Sequence, residues 1–142
     1  MLTKKSKYGL KAVLYLARAA EAGKGPVPVS QIAEREQLPR KFLEAILLEL
    51  TRHGLLRSKK GPGGGYSLVR GPGEVTLGQI LTALDTARPL VTCLGQRSDV
   101  RCAECAHQAD CRIRAAMTEV HAAAARVLDR TTLSVLAATS AP

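Results

Sequence analysis

The sequence predicts a mainly α protein carrying one small β-hairpin, and three observations lead there. Apolar residues recur at helical spacing through most of the first 53 residues and again from about 111 to 129. A glycine-rich segment near residue 60 is flanked by two short runs of strand type. With no Trp and only 3% aromatic residues, the interior must be built from Leu, Ala, Val and Ile. At 142 residues the chain is long enough for one compact domain, or a small domain with an appendage, and too short for a large multidomain enzyme.

The first helix is expected from about 5 to 22, with Leu10, Val13, Leu14, Leu16 and Ala17 at helical spacing and Gly23 and Gly25-Pro26 ending it. Val27-Pro28-Val29 is too short for more than a β-bridge. Ser30 then reads as the N-cap of a short helix containing Ile32, Ala33 and Leu38. Leu38-Pro39 breaks that helix, and Pro39 is tolerated at or near the first turn of the next. The third helix, about 40 to 53, directs Phe42, Leu43, Ile46, Leu47 and Leu50 inward and stops at His53-Gly54. Two helices separated by a tight turn, the second basic at its start through Arg40 and Lys41, make a helix-turn-helix pattern.

Leu55–Ser58 and Tyr66–Val69 read as strands around Lys59-Lys60-Gly61-Pro62-Gly63-Gly64-Gly65, a hairpin with a basic, glycine-rich tip. Glycines allow close approach to another molecule, and the lysines favour a phosphate backbone or a narrow groove. A nucleotide-binding loop is disfavoured because Gly-Lys-Ser/Thr before a helix is absent. A fourth helix with Thr76 as its cap runs to about Asp85, placing Leu77, Ile80, Leu81 and Leu84 on one face. Residues 86 to 110 lack a period, contain all the cysteines but the last, and are too many for a mere connection. The last long helix, about 111 to 129, aligns Ile113, Met117, Val120, Ala124, Val127 and Leu128, a stripe suited to a homodimer or to packing on its own domain. A further short helix is expected after Thr131 or Thr132.

The formal net charge of +9 is unevenly placed. Residues 1 to 70 hold 14 basic and five acidic residues, whereas residues 71 to 142 hold seven of each. A basic half is either a solvated face or the footprint of a polyanion, and here it coincides with the helix-turn-helix and the basic hairpin. No run of 18 apolar residues exists and the N-terminus lacks a signal-peptide pattern, so a cytoplasmic location without membrane partnership is expected. No Ser/His/Asp motif or paired carboxylate stands out, and neither catalysis nor a small-molecule substrate is expected. His53 reads as a partner of a helix C-terminus, and His121 as a residue of the polar side of the last helix.

In a reducing compartment, four clustered cysteines favour metal ligation or redox chemistry over a disulfide framework. Their positions are Cys93, Cys102, Cys105 and Cys111, soft ligands for an iron–sulfur cluster or for zinc in a Cys₄ site. A metal-free thiol switch also fits, because Arg101 and Arg112 adjoin Cys102 and Cys111 and favour their thiolates.

The segments LTKKSKYGLKAVLYLA, PVPVSQIAEREQLPRKFLEAILLELTRHGLL and KGPGGGYSL, followed by clustered cysteines and a long helix, resemble the IscR/NsrR-type winged-helix transcription regulators over residues 2 to about 136. The resemblance implies a winged helix-turn-helix over 1–72, a connecting helix and cysteine-bearing sensor loop over 73–110, and a dimerisation helix and tail over 111–142. It further implies a homodimer that binds a dyad-symmetric, double-stranded DNA operator, as a repressor in the first reading. The DNA-binding residues carried over are Ser30, Pro39, Arg40, Lys41, Glu44, Lys59, Lys60 and Gly63. Arg40 and Lys41 can donate to guanine or phosphate and Glu44 can accept from cytosine. The family commonly has Arg where Lys60 precedes GPGGG, and a lysine keeps the charge without the guanidinium fork.

In the family, three cysteines hold a 2Fe-2S or 4Fe-4S cluster, and Cys93, Cys105 and Cys111 match them. Cys102 is additional. Where members with a two-iron cluster often have a histidine three residues after the last cysteine, this chain has Arg114, and Tyr8 stands where others recruit an acidic ligand across the dimer. The fourth ligand is left between Cys102, the first choice, and His107. A different class of reading is a metal-stabilised adaptor whose basic half binds RNA or membrane without sequence preference.

Overall fold

The computed structural model describes residues 2–84 and 111–139. Helix α1 spans Lys4–Glu21, with the Thr3 hydroxyl accepting from the Ser6 amide at 3.1 Å. It ends at Gly23, whose φ of 70° lets the Gly23 and Lys24 amides return to the carbonyls of Ala20 and Ala19. Val27 forms the expected bridge, exchanging hydrogen bonds with Tyr66 at 2.9 and 2.8 Å. Helix α2 covers Val29–Glu36 and helix α3 Arg40–Arg52.

Two sequence expectations are corrected here. Ser30 is not the N-cap of α2: Pro28 holds that place and Ser30 lies in the first turn, exposed. The cause is Val27, whose pairing with Tyr66 keeps the chain extended as far as Pro28, so that the Gln31 and Ile32 amides already bond to the Pro28 carbonyl. Phe42 does not point into the core. It is 39% exposed and meets the Tyr8 ring edge-on, with centroids 5.7 Å apart.

The hairpin pairs β1 (Leu56–Lys59) with β2 (Gly65–Leu68) antiparallel, Leu56 opposite Leu68 and Lys59 opposite Gly65. Arg57 Nε donates across it to Ser67 Oγ at 3.3 Å. A 3₁₀ turn at Pro72–Glu74, which the sequence did not reveal, leads to α4 (Leu77–Ala83). Thr76 caps α4 as expected and Gln79 completes a capping box. Helix α5 spans Arg112–Arg130 and α6 Leu133–Ala138.

The core gathers Val13 and Leu16 of α1, Leu43, Ile46, Leu47 and Leu50 of α3, Ile80 and Leu84 of α4, and Leu133 of α6. A short two-strand clasp brings α6 there. The Leu77 amide donates to Thr131 O and the Leu133 amide to Val75 O, both at 2.9 Å, with Thr76 paired to Thr132. Beside it, Asp129 packs so closely on Gly78 that a β-carbon there would collide with its carboxylate. The C-terminal end of α5 is thereby fixed to the helix that follows the wing.

Candidate nucleic-acid interface

Helix α3 buries Leu43, Ile46, Leu47 and Leu50, and this inward set decides what faces out. At 100° per residue the opposite face carries Lys41, Ala45, Leu48 and Arg52, all exposed. Pro39 occupies the N-cap with extended backbone and starts the helix cleanly. Arg40, expected to donate to guanine or phosphate, and Glu44, expected to accept from cytosine, pair with each other at 3.1 Å across one turn. Their side chains are exposed, and such a pair is worth about 0.3–0.5 kcal/mol, small enough for DNA to displace. His53 closes the helix, its Nδ1 lying 3.0 Å from Glu49 O, in the helix C-terminal role expected of it.

The wing stands on one flank of this face. Between α3 and the hairpin runs an open groove of about 540 Å³ lined by Val29, Lys41, Glu44, Ala45, Leu48 and Tyr66. Lys59 and Lys60 are exposed at the tip. The turn between the strands is closed by the Gly64 amide on Gly61 O at 3.0 Å, with Pro62 second and Gly63 third at φ 70°, the pattern of a type II turn. Gly63 therefore shapes the tip that presents the lysines.

On the other flank lies the start of α1, which sequence reasoning did not place at the site. Lys5 Nζ pairs with Glu49 at 2.7 Å, the Lys4 ammonium sits 5.9 Å from the Tyr8 ring centre, and Tyr8 rests on Phe42. Lys4, Lys7 and Lys11 remain exposed along this helix. The available signal was the alternation of lysines with Tyr8 and Tyr15 at helical spacing. Basic side chains thus border the α3 face on both sides, an arrangement that favours a duplex whose phosphates flank a groove.

Cys111 is the N-cap of α5, its sulfur accepting the Arg114 amide at 3.4 Å. Cys93, Cys102, Cys105 and His107 lie outside the described residues. Among the described residues no group of three His, Cys, Asp or Glu is placed to hold a metal ion, and no helix is long and apolar enough to cross a membrane. His121 is half-exposed on α5.

A family model described as "Rrf2: Iron-dependent Transcriptional regulator" matches residues 2–139. The chain belongs to the Rrf2 family. An HTH-type transcriptional regulator of Rhodobacter capsulatus, named as rrf2-like, is 35% identical over all of this chain and 95% of its own length. The HTH-type transcriptional regulator IscR of Sodalis glossinidius is 38% identical over 67% of this chain, a match spanning 56% of that protein. Among solved structures, CymR (YrzC), the global cysteine regulator of B. subtilis, superposes with a TM-score of 0.77 at 30% identity, covering 99% of this chain and 98% of its own. T. potens IscR gives 0.72 at 26% identity, covering 100% and 93%. This Rrf2 protein is accordingly a winged-helix transcription regulator and not an enzyme, and its mainly α fold with one hairpin is the expected one.

Proposed function

We propose that this Rrf2 protein is a homodimeric repressor that binds a double-stranded DNA operator through α3 and the wing, and that an iron–sulfur cluster on Cys93, Cys102, Cys105 and Cys111 tunes the binding. The observation that carries the reading is the exposed α3 face with Lys41 at its N-terminal end, bordered by Lys59 and Lys60 on one side and the basic start of α1 on the other. Ser30, in the exposed first turn of α2, and Pro39, Arg40, Glu44 and Gly63 complete the contact set. Residues 1–72 serve DNA binding, 73–110 sensing and 111–142 dimerisation.

Dimerisation is supported by α5. Ile113, Val120 and Val127, seven residues apart, are 72, 49 and 64% exposed, and no residue of α5 is buried. Asp129, which meets α4, lies on the opposite side of the helix, so docking on α4 leaves the apolar stripe uncovered. A second copy would cover it along a seam of heptad spacing. Two-fold symmetry then places two α3 helices on half-sites about one helical turn, ~34 Å, apart.

Four thiols are a soft donor set that fits iron and sulfide. When bound, a cluster supplies a redox- and iron-sensitive link among residues of the sensor segment. The protein's own part is to present Cys111 at the head of α5, whose far end the clasp ties to the segment after the wing. A thiol switch is the second reading, supported by the Arg114 amide on Cys111 Sγ, a bond that stabilises negative charge on sulfur, and by the solved structure of an oxidised form of Staphylococcus aureus CymR.

Two measurements test the proposal. Anaerobic purification with a visible spectrum and iron and sulfide assays should give coloured protein with both elements bound. Colourless protein with one zinc per chain would replace iron by zinc, and metal-free protein with an oxidisable thiol pair would favour the switch. For DNA, Lys41→Ala and Lys60→Ala should each weaken binding and flatten the salt dependence, a phosphate contact accounting for a slope change of about 1. Unchanged affinity in both variants at low salt would remove α3 and the wing from the interface.

A further inference from the structure

The outward face of α3 is not uniformly basic. Between Lys41 and Arg52 it carries Ala45 and Leu48, and Leu48 is 46% exposed although it belongs to a helix whose other leucines, Leu43, Leu47 and Leu50, are fully buried. Both residues line the groove that α3 shares with the wing, where Val29 and Tyr66 continue the apolar wall and Lys41 and Glu44 form its polar edge. A face that inserts into a major groove meets hydrogen-bonding base edges, which Ala45 and Leu48 cannot satisfy, and one apolar group, the 5-methyl of thymine.

We infer that Leu48, with Ala45 beside it in the groove, reads a thymine methyl group, so that the operator half-site carries thymine near the base contacted by Lys41. The inference rests on the proposed placement of α3 in the major groove and adds base identity to it. Lys41 and Leu48 are seven residues apart, about 10 Å along a helix at 1.5 Å per residue, or about three steps of duplex at 3.4 Å. The thymine therefore lies within about three base pairs of the Lys41 contact. Cytosine at that position loses the methyl and presents an amino donor to an apolar wall, while uracil loses the methyl alone.

That last difference supplies the test. Duplexes enriched from a random 30-base-pair pool by repeated binding to the full-length dimer are resynthesised with each thymine replaced singly by uracil. At one thymine per half-site, the substitution should weaken binding about fourfold, the equivalent of ~0.8 kcal/mol for one buried methyl, and Leu48→Ala should abolish the difference between thymine and uracil. Leu48→Gln should abolish it as well, and circular dichroism should show both variants folded, since the side chain is half outside the core. Affinities that change less than twofold for every thymine, or a folded Leu48→Ala protein that still distinguishes the two bases, would overturn methyl recognition. If Lys41→Ala still weakens binding in that case, α3 keeps its place in the groove and only the methyl contact fails. If Lys41→Ala is also without effect, the placement of α3 is itself at fault.

Discussion

Leu133→Ala is expected to lower the unfolding free energy by about 2–5 kcal/mol, the range for truncating a fully buried leucine in a packed core. Leu133 is 0% exposed and begins α6, yet it belongs to a core otherwise built from residues 12 to 84. Its amide also closes the clasp on Val75 O, and Val75 is itself fully buried. The truncation removes the anchor of α6 and leaves a cavity against α1, on which α6 packs with Ser134 Oγ donating to Glu21 at 3.3 Å. Urea unfolding of variant and parent at one protein concentration measures the effect, since the proposed dimer would make apparent stability concentration-dependent. A loss below 1 kcal/mol would mean that α6 is a surface appendage and not part of the core.

The clasp also marks the limit of what the sequence could disclose. Helices announced themselves because their apolar residues recur every three to four positions: α1, α3, α4 and α5 lie within one or two residues of their expected bounds, and α6 begins where a short helix was expected. The hairpin was legible because Gly and Pro punctuate two short strand-like runs. Periodicity carries no signal for the pairing of Thr131–Leu133 with Val75–Leu77, since two loops some 55 residues apart meet through backbone groups that every residue possesses. Phe42 was misplaced for a related reason. A helical pattern separates an apolar from a polar face but cannot tell that an aromatic on the boundary will lean on Tyr8 of another helix.

At the proposed interface, the charged candidates were legible because charge is visible in a sequence. Lys41, Lys59 and Lys60 were chosen from it and all stand exposed where a duplex could meet them. Ala45 and Leu48 escaped notice because apolar residues of an amphipathic helix read as interior until the buried set fixes which way the helix is turned. The same holds for the start of α1, whose Lys5 reaches Glu49 of α3 only through the fold, across 44 residues of sequence.

Gly65→Ala should uncouple the wing from the helices and reduce DNA affinity by at least about tenfold, because lost phosphate contacts act together on binding and its salt dependence. Gly65 has φ 147°, a region nearly closed to residues with a β-carbon, which adds strain of about 1–3 kcal/mol. The added carbon would also fall on the Val27 carbonyl group and Pro28 N, where the bridge between Val27 and Tyr66 draws the strand against the turn before α2. Relief requires β2 to move away, and with it the tip bearing Lys59 and Lys60. Far-ultraviolet circular dichroism should stay near that of the parent, since the only helix that adjoins this bridge is α2, through its first turn, while the salt slope should fall by about 2 per protomer as both lysines leave the phosphates. Gly25→Ala is the matched control, with nothing within 4 Å of its added carbon and no positive φ, and should bind as the parent does. The decisive comparison is the double variant. If the wing is displaced as a unit, Lys60→Ala has no further effect in the Gly65→Ala background, whereas additive losses would place Lys60 on DNA independently of how β2 is seated.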